Sequence, residues 1–133
     1  MTRNVLVVDD SPTMRVALRR QLELRGFTVF EASHGQDALE QLEALPTPGL
    51  MMVDWRMPVM NGLEFVQQVR LSTRFDDTRV IMVTTENERD AIMTALDAGA
   101  DEYIMKPFSS AMLEDKLGMV GLNADGAQPT QAR

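Results

Sequence analysis

Acidic, hydroxyl and amine side chains stand directly after four short apolar runs of the sequence. They are Asp9 and Asp10, Asp54, Thr84 and Lys106. If the four runs are parallel strands, these side chains emerge at one edge of one sheet, where open α/β sheets bind their ligands. Carboxylates suit Mg²⁺, and an amine and a hydroxyl beside them suit phosphoryl oxygens. The pattern therefore predicts a pocket that holds a divalent metal ion and accepts phosphate.

The charges of this predicted pocket require a cation. Two like charges about 4 Å apart repel by roughly 4 kcal/mol at an effective dielectric constant of 20, so we expect Mg²⁺ to stabilise the fold. Asp10 and Asp54 are predicted to bind the metal directly, and Asp9 through water. With the metal bound, one carboxylate can attack phosphorus and become an acyl phosphate. We select Asp54 as the nucleophile because it ends a central strand and an irregular loop follows it, while Lys106 and Thr84 would contact phosphoryl oxygens.

Apolar runs alternate with helical patterns along the chain. The runs are Val5–Val8, Leu50–Val53, Val80–Val83 and Tyr103–Met105, and a more alternating run at 28–31 is predicted to lie at a sheet edge. Between the runs, apolar residues recur at the spacing of a helix with one buried face. Five strand–helix repeats predict an α/β fold, a doubly wound (βα)5 parallel sheet of five strands with helices on both faces.

Residues that start or stop helices support this division. Ser11-Pro12 is typical of a helix start, because Ser caps free N–H groups and Pro suits the first turn. Gly26 and Gly99 stand where the first and fourth helices should end. Asn61-Gly62 indicates the turn before the third helix.

The overall composition limits the functions that the chain can have. It has 133 residues, a net charge of -7, no cysteine and one histidine, His34, which excludes thiol chemistry and His-rich metal sites. The acidic balance argues against nucleic acid as a partner. No apolar stretch approaches the roughly 20 residues of a membrane span, and no signal-peptide pattern is present, so we expect a cytoplasmic protein. One domain is predicted at 4–121, followed by a flexible tail at 122–133 that has no periodicity.

Four motifs, in order, resemble the response regulator receiver domain of two-component signalling. They are VVDDSP at 7–12, VDWRMPVMNG at 53–62, VTTE at 83–86 and MKPF at 105–108. The resemblance covers about residues 4–121 and implies a flavodoxin-like fold with strand order 2-1-3-4-5. It also implies that the Lys106–Pro107 peptide bond is cis.

The resemblance implies a signalling phosphoacceptor with its own phosphorylation and dephosphorylation chemistry rather than an enzyme. A histidine kinase would transfer phosphate to Asp54 with Mg²⁺, for which Mn²⁺ can substitute. The implied metal ligands are Asp9, Asp10, Asp54 and the backbone carbonyl of Arg56. Thr84 and Lys106 would sense the phosphate, and Tyr103 would be an aromatic switch that turns inward when Thr84 moves.

Within this family, the Thr-Thr-Glu motif, Tyr103 and the Asp54-Trp55 pair resemble chemotaxis receivers that act by docking alone. The face formed by helix four, strand five and helix five then binds a flagellar motor switch protein or the kinase. The sequence lacks the basic helix-turn-helix of transcriptional regulators. We therefore expect a monomer with no nucleic acid partner and no membrane insertion.

Other functions stay open at this point. A single-domain phosphorelay intermediate, which passes phosphate to a histidine phosphotransfer protein, would use the same residues. A magnesium-dependent phosphohydrolase ranks low, because it needs a second acid two residues after the nucleophile, where this chain has Arg56. A flavin-binding module would need a phosphate loop rich in Ser, Thr and Gly after strand one, instead of two carboxylates.

Arg56 also departs from the family pattern, since chemotaxis members often have Asn there. Its side chain could pair with Glu86 across the mouth of the pocket. We hypothesise that this pair hinders the attacking water and alters the lifetime of the acyl phosphate. The departure also bears on recognition by a phosphatase that reads Asn at this position.

Overall fold

The computed structural model describes residues 3–85 and 89–122 of the chain. Strands and helices alternate along these residues, with one short 3-10 helix at Thr73–Phe75. The strands are β1 (Asn4–Val8), β2 (Thr28–Ala32), β3 (Leu50–Asp54), β4 (Arg79–Thr85) and β5 (Glu102–Lys106). The helices are α1 (Pro12–Glu23), α2 (Gly35–Leu42), α3 (Gly62–Arg70), α4 (Arg89–Ala98) and α5 (Ser110–Met119).

The strands form one parallel sheet in the order β2-β1-β3-β4-β5. This order confirms the predicted fold class, and β2 lies at an edge of the sheet, as its alternating sequence predicted. Every residue of β3 is buried, as are four of the five residues of β1. Continuous apolar runs are typical of such central strands because helices cover both of their faces.

The side chains of β1 alternate between two apolar layers. Val5 and Val7 belong to the layer that contains the buried residues of α1 and α5, whereas Leu6 and Val8 belong to the layer with α2 and α3. This alternation follows from the two-residue period of a strand. Since burying one such aliphatic side chain stabilises a fold by about 1.5–3 kcal/mol, β1 and its neighbours anchor both layers.

The predicted helix boundaries are confirmed by side-chain caps. The Ser11 hydroxyl accepts a hydrogen bond from the Met14 N–H at 3.2 Å, with Pro12 in the first turn of α1. Asn61 and Glu64 form a reciprocal capping box at the start of α3. A positive φ at Gly99, +121°, ends α4 as the sequence indicated. Local signals therefore set the ends of these helices.

Two arginines close the amino-terminal end of the sheet. Arg70 donates hydrogen bonds to the carbonyls of Gly99, Phe75 and Thr78 at 2.9, 2.6 and 2.9 Å, and to the Asp101 carboxylate at 3.0 Å. Arg74 donates in the same way to the carbonyls of Leu42 and Leu45 and to the Thr47 hydroxyl. Each guanidinium thus ties together loops that are distant in the sequence.

The folded domain extends one residue beyond the predicted boundary. Leu122, which the sequence analysis assigned to the tail, is 1% exposed and packs in the layer of α1 and α5. Its N–H donates to the Leu117 carbonyl at 2.8 Å. Residues 123–133 lie outside the described residues, so the flexible tail stays a prediction. Across the described residues, no helix combines the length and the hydropathy needed to cross a membrane.

Candidate functional site

The predicted site residues lie at the carboxyl ends of four strands. Strands β1, β3, β4 and β5 are successive neighbours in the sheet. Asp54 is the last residue of β3 and pairs with Val83, and Lys106 is the last residue of β5 and pairs with Thr85. Because the strands are parallel, their carboxyl ends meet at one edge, and Asp9 follows β1 at that edge.

Three carboxylates converge there, as predicted. One oxygen each from Asp9, Asp10 and Asp54 lies within 4.8 Å of the others. Asp9 and Asp54 are buried, with exposures of 1% and 7%, whereas Asp10 is exposed to solvent. The cluster therefore forms a pocket in which the Asp9 and Asp54 carboxylates are buried and the Asp10 carboxylate lies at the rim.

Lys106 bridges the two buried carboxylates. Its Nζ lies 3.4 Å from Asp54 Oδ1 and 3.5 Å from Asp9 Oδ2. One ammonium group does not neutralise three carboxylates, and the remaining negative charge suits a divalent cation. The arrangement confirms the sequence-based expectation that a lone amine stands beside the acids.

The pKa of Asp54 reports the electrostatic cost of this arrangement. Burial, and then the negative charge of Asp9, raise the pKa of Asp54 from 3.8 to about 6, and the Lys106 ammonium partly offsets them. Asp54 is therefore largely ionised near neutral pH, but its ionised form is less favoured than that of an ordinary aspartate. A cation bound between the acids would remove this cost.

Two buried oxygen atoms at this end of the sheet have no hydrogen-bond partner among the described residues. They are Asp9 Oδ2 and the hydroxyl Oγ1 of Thr84, which is fully buried in β4. A buried polar group without a partner costs about 1–3 kcal/mol. A carboxylate oxygen without a hydrogen bond, with only the Lys106 ammonium 3.5 Å away in a cluster of three acids, fits a hard cation such as Mg²⁺ or Mn²⁺.

The loop after β3 returns close to the site. The Gly62 N–H donates to the Trp55 carbonyl at 3.0 Å, and a Cβ at Gly62 would lie 2.5 Å from the Asp54 carbonyl oxygen. Only glycine allows α3 to start this near the end of β3. The loop also lines an open depression of about 410 Å³ with Asp10, Trp55, Arg56, Met57 and Asn61.

Comparison with known proteins identifies the family. A family model described as the response regulator receiver domain matches residues 5–118. The chain belongs to the response regulator receiver domain family. The motifs that the sequence analysis compared with this family all lie within the matched residues, and the fold is that of the family's solved members.

Similar proteins to this receiver domain include chemotaxis proteins. It is 44% identical over 117 residues to chemotaxis protein CheY1 of Helicobacter pylori, and the aligned residues cover 87% of this chain and 94% of the relative. It is 44% identical over 114 residues to a CheY homologue of Campylobacter jejuni, with 85% and 88% covered. The solved structure of the chemotaxis response regulator CheY4 of Vibrio cholerae superposes with a TM-score of 0.82 at 32% identity, over 90% of this chain and 99% of that one.

Further predicted site residues of this receiver domain lie in the loop after β3 and in β5. Arg56 is exposed at the depression above the acids. Tyr103 is half-buried in β5, and Lys116 Nζ lies 4.2 Å from the centroid of its ring. The Lys106–Pro107 bond is cis, as the resemblance implied. Glu86 lies outside the described residues, so its pairing with Arg56 stays a prediction. The switch role of Tyr103 also stays a prediction.

One residue that touches the site was missed by the sequence analysis. Arg15, near the start of α1, donates a hydrogen bond from Nη1 to the Asp9 carbonyl at 2.6 Å. A cation near a helix N-terminus is disfavoured by the helix dipole. That unfavourable placement, soon after the two acids, was the signal in the sequence that could have identified it.

Proposed function

We propose that this receiver domain accepts a phosphoryl group on Asp54 from a phosphohistidine of a histidine kinase. The observation that carries the proposal is the convergence of Asp9, Asp10 and Asp54 around the Lys106 ammonium at the carboxyl edge of the sheet. In the transfer, the bond between phosphorus and the imidazole nitrogen breaks while a bond between phosphorus and an Asp54 oxygen forms. The electron pair of the broken bond stays on the imidazole. The domain is then a signalling phosphoacceptor rather than an enzyme.

The acids have separate tasks in this proposal. Asp54 is the nucleophile and must be ionised, which its pKa of about 6 allows near neutral pH. Asp10, Asp54 and the backbone carbonyl of Arg56 would hold Mg²⁺, with Asp9 acting through water. The metal ion, when bound, supplies neutralisation of charge on the phosphoryl oxygens.

Lys106 and Thr84 would hold the phosphoryl group after transfer. Lys106 Nζ already lies 3.4 Å from Asp54 Oδ1, so it can contact an oxygen of a phosphoryl group on that residue. The unpartnered Thr84 hydroxyl can donate to another phosphoryl oxygen. Since Thr84 belongs to β4, which pairs with the strand of Tyr103, this hydrogen bond would link phosphorylation to the neighbouring strand β5.

The output is a change in affinity for a protein partner. The relatives at 44% identity are chemotaxis proteins, which supports a chemotaxis role with a flagellar motor switch protein as the partner. A phosphoryl group on Asp54 carries about 1.5 to 2 negative charges in place of the single charge of the carboxylate, and would bias two states of the face formed by α4, β5 and α5. Met93 on α4 and Met112 on α5 are exposed, adaptable apolar side chains on two of these elements.

The lifetime of the phosphorylated state is proposed to depend on Arg56. This side chain lies at the depression through which water would reach Asp54. Arg56→Asn is expected to change the rate of dephosphorylation severalfold, with phosphate release as the measurement. An unchanged rate would refute this role.

The phosphoacceptor assignment is tested by treating the protein with acetyl phosphate and Mg²⁺. Intact mass is expected to show one added phosphoryl group in the wild type and in Asp77→Asn, which alters an exposed acid far from the site, but none in Asp54→Asn. Beryllofluoride with Mg²⁺ should raise the affinity for the motor switch protein in the wild type and in Asp77→Asn, but not in Asp54→Asn. Modification that persists in Asp54→Asn would overturn the choice of nucleophile, and an unmodified wild type would overturn the function.

A further inference from the structure

The turn between β1 and α1 carries two of the three acids, and one arginine reaches its backbone. Arg15 donates from Nη1 to the Asp9 carbonyl at 2.6 Å and from Nε to Glu31 Oε1 at 3.0 Å. Its side chain is 18% exposed, so these hydrogen bonds are partly shielded from water. The guanidinium thus links the turn to the edge strand β2.

The Glu31 end of this link is itself fixed. Its second oxygen, Oε2, accepts from Arg19 Nε at 2.6 Å, so each carboxylate oxygen holds a different arginine. Hydrogen bonds from Arg19 and then Arg15 hold the pKa of Glu31 below its usual value. Glu31 is therefore an ionised anchor that aims Arg15 at the turn.

Asp9 is held at every polar atom except one. Its N–H donates to the Ala32 carbonyl at 3.1 Å, its Oδ1 accepts from the Ser11 N–H at 2.9 Å, and its carbonyl accepts from Arg15. The exception is Oδ2, the buried atom that lies 3.5 Å from Lys106 Nζ. The three hydrogen bonds consequently orient Oδ2, which has the Lys106 ion pair but no hydrogen bond from a described residue, toward the acidic cluster.

The Asp9 carbonyl also belongs to the peptide plane that leads to Asp10. The Asp10 side chain is exposed, and no hydrogen bond from another described residue holds its carboxylate. Its position in the cluster therefore follows from the backbone of the turn. Fixing the Asp9 carbonyl fixes the direction in which Asp10 leaves that plane.

We infer that Arg15 is a positioning residue that sets the divalent-metal affinity of the site by fixing the Asp9–Asp10 turn. This inference rests on the proposed metal-dependent function. Residues that orient metal ligands change affinity by about 10- to 100-fold when they are removed. Arg19 supplies a matched comparison, because it pairs with the same Glu31 but its hydrogen bonds go to Glu31 and Glu23 and none to Asp9.

The experiment is a titration with Mg²⁺ alone, followed by fluorescence of Trp55. This is the single tryptophan of the chain, half-buried and adjacent to Asp54. Arg15→Gln is expected to weaken Mg²⁺ binding by about 10-fold or more, and Arg19→Gln to change it by less than about twofold. Arg15→Lys should recover part of the loss, because an ammonium can reach the carbonyl but cannot bind Glu31 at the same time.

Urea unfolding without metal separates positioning from folding. Similar unfolding of Arg15→Gln and Arg19→Gln, together with their different Mg²⁺ affinities, supports the inference. Wild-type affinity in Arg15→Gln overturns it, as does an equal loss in both variants. If Arg15→Gln does not fold, Glu31→Gln takes its place and should bind Mg²⁺ more weakly than Arg19→Gln, and equal affinities overturn the inference. A wild-type protein without any response to Mg²⁺ refutes the proposed metal site itself.

Discussion

The two ends of the central sheet treat buried polar groups in opposite ways. At the amino-terminal end, Arg70 donates four hydrogen bonds, and the buried Thr78 hydroxyl donates to the Pro48 carbonyl at 2.8 Å. At the carboxyl end, Asp9 Oδ2 and Thr84 Oγ1 are buried without a hydrogen bond from any described residue. The groups around Arg70 and Thr78 are thus paired within the described residues, and the exception on that side is the buried Nε of Arg25 in the turn between α1 and β2. The carboxyl end keeps two unpaired oxygen atoms together beside the acids.

This difference separates stability from function. Unpaired buried groups cost free energy, so a protein that keeps them at one edge gives up stability there. The amino-terminal end offsets that cost through hydrogen bonds that close its loops. The comparison leads us to expect that removing a polar group destabilises the protein at one end and stabilises it at the other.

The largest effect is expected at the amino-terminal end. Arg70→Ala removes the guanidinium donor of the carbonyls of Phe75, Thr78 and Gly99, of which the Phe75 carbonyl keeps the Thr78 N–H at 3.0 Å. It should lower the free energy of unfolding by about 3–5 kcal/mol. Urea denaturation measures this change. Arg79→Ala, at an exposed position nearby, is the control and should shift stability by less than about 0.5 kcal/mol. Equal effects of the two substitutions would contradict the comparison.

An opposite sign is expected for Asp54→Asn without metal. Because the pKa of Asp54 is about 6 in the folded chain and 3.8 ordinarily, the folded state binds the proton more tightly. Stability from this group is fully present below the unfolded pKa and is lost as pH rises through the folded pKa. The neutral Asn should therefore stabilise the protein by about 3 kcal/mol near pH 7.5, with a smaller gain toward pH 4.

Urea denaturation at several pH values checks this expectation. The exposed Asp77→Asn is the control and should show no comparable gain at any pH. Destabilisation by Asp54→Asn near neutral pH would show that the acid cluster stabilises the fold, against the comparison drawn above.

Bound Mg²⁺ should offset the free-energy cost of the clustered acids at the carboxyl end of the sheet. A ligand at 100 times its dissociation constant stabilises the folded state by about 2.7 kcal/mol. We expect this gain in the wild type and a much smaller one in Asp54→Asn, because the variant has lost one of the clustered carboxylates. Thermal unfolding with and without Mg²⁺, at constant ionic strength, gives the measurement. An equal gain in both proteins would place the metal elsewhere.

The smallest effect concerns backbone strain beside the site. Val59, in the loop after β3, has φ +71° and is largely exposed. A β-branched residue is disfavoured there, whereas Asn tolerates this conformation. Val59→Asn should therefore stabilise the protein by about 1 kcal/mol. Leu24→Asn, which replaces an exposed apolar residue with φ -61°, is the control, and an equal gain there would exclude strain as the cause.

Local patterns explain which parts of the structure could be predicted. The carboxyl ends of β1, β3 and β5 can be recognised in the sequence because a polar residue follows or ends an apolar run. Parallel strands then bring those polar residues together. Ser11 and Asn61 were recognisable because a cap acts within one helical turn. His34, in contrast, caps α2 by accepting the Asp37 N–H on Nδ1, and histidine is an uncommon cap. The sequence analysis did not assign it this role.

The sequence by itself determined the fold class, the order of the elements and the four strand ends that carry the acids, hydroxyl and amine, because each depends on periodicity or on residues close along the chain. Only the tertiary structure decided that Arg15 holds the Asp9 carbonyl, that Arg70 closes the opposite end and that Leu122 packs in the core. It also decided the raised pKa of Asp54. These features depend on distances and burial between segments far apart in sequence, for which no local pattern exists.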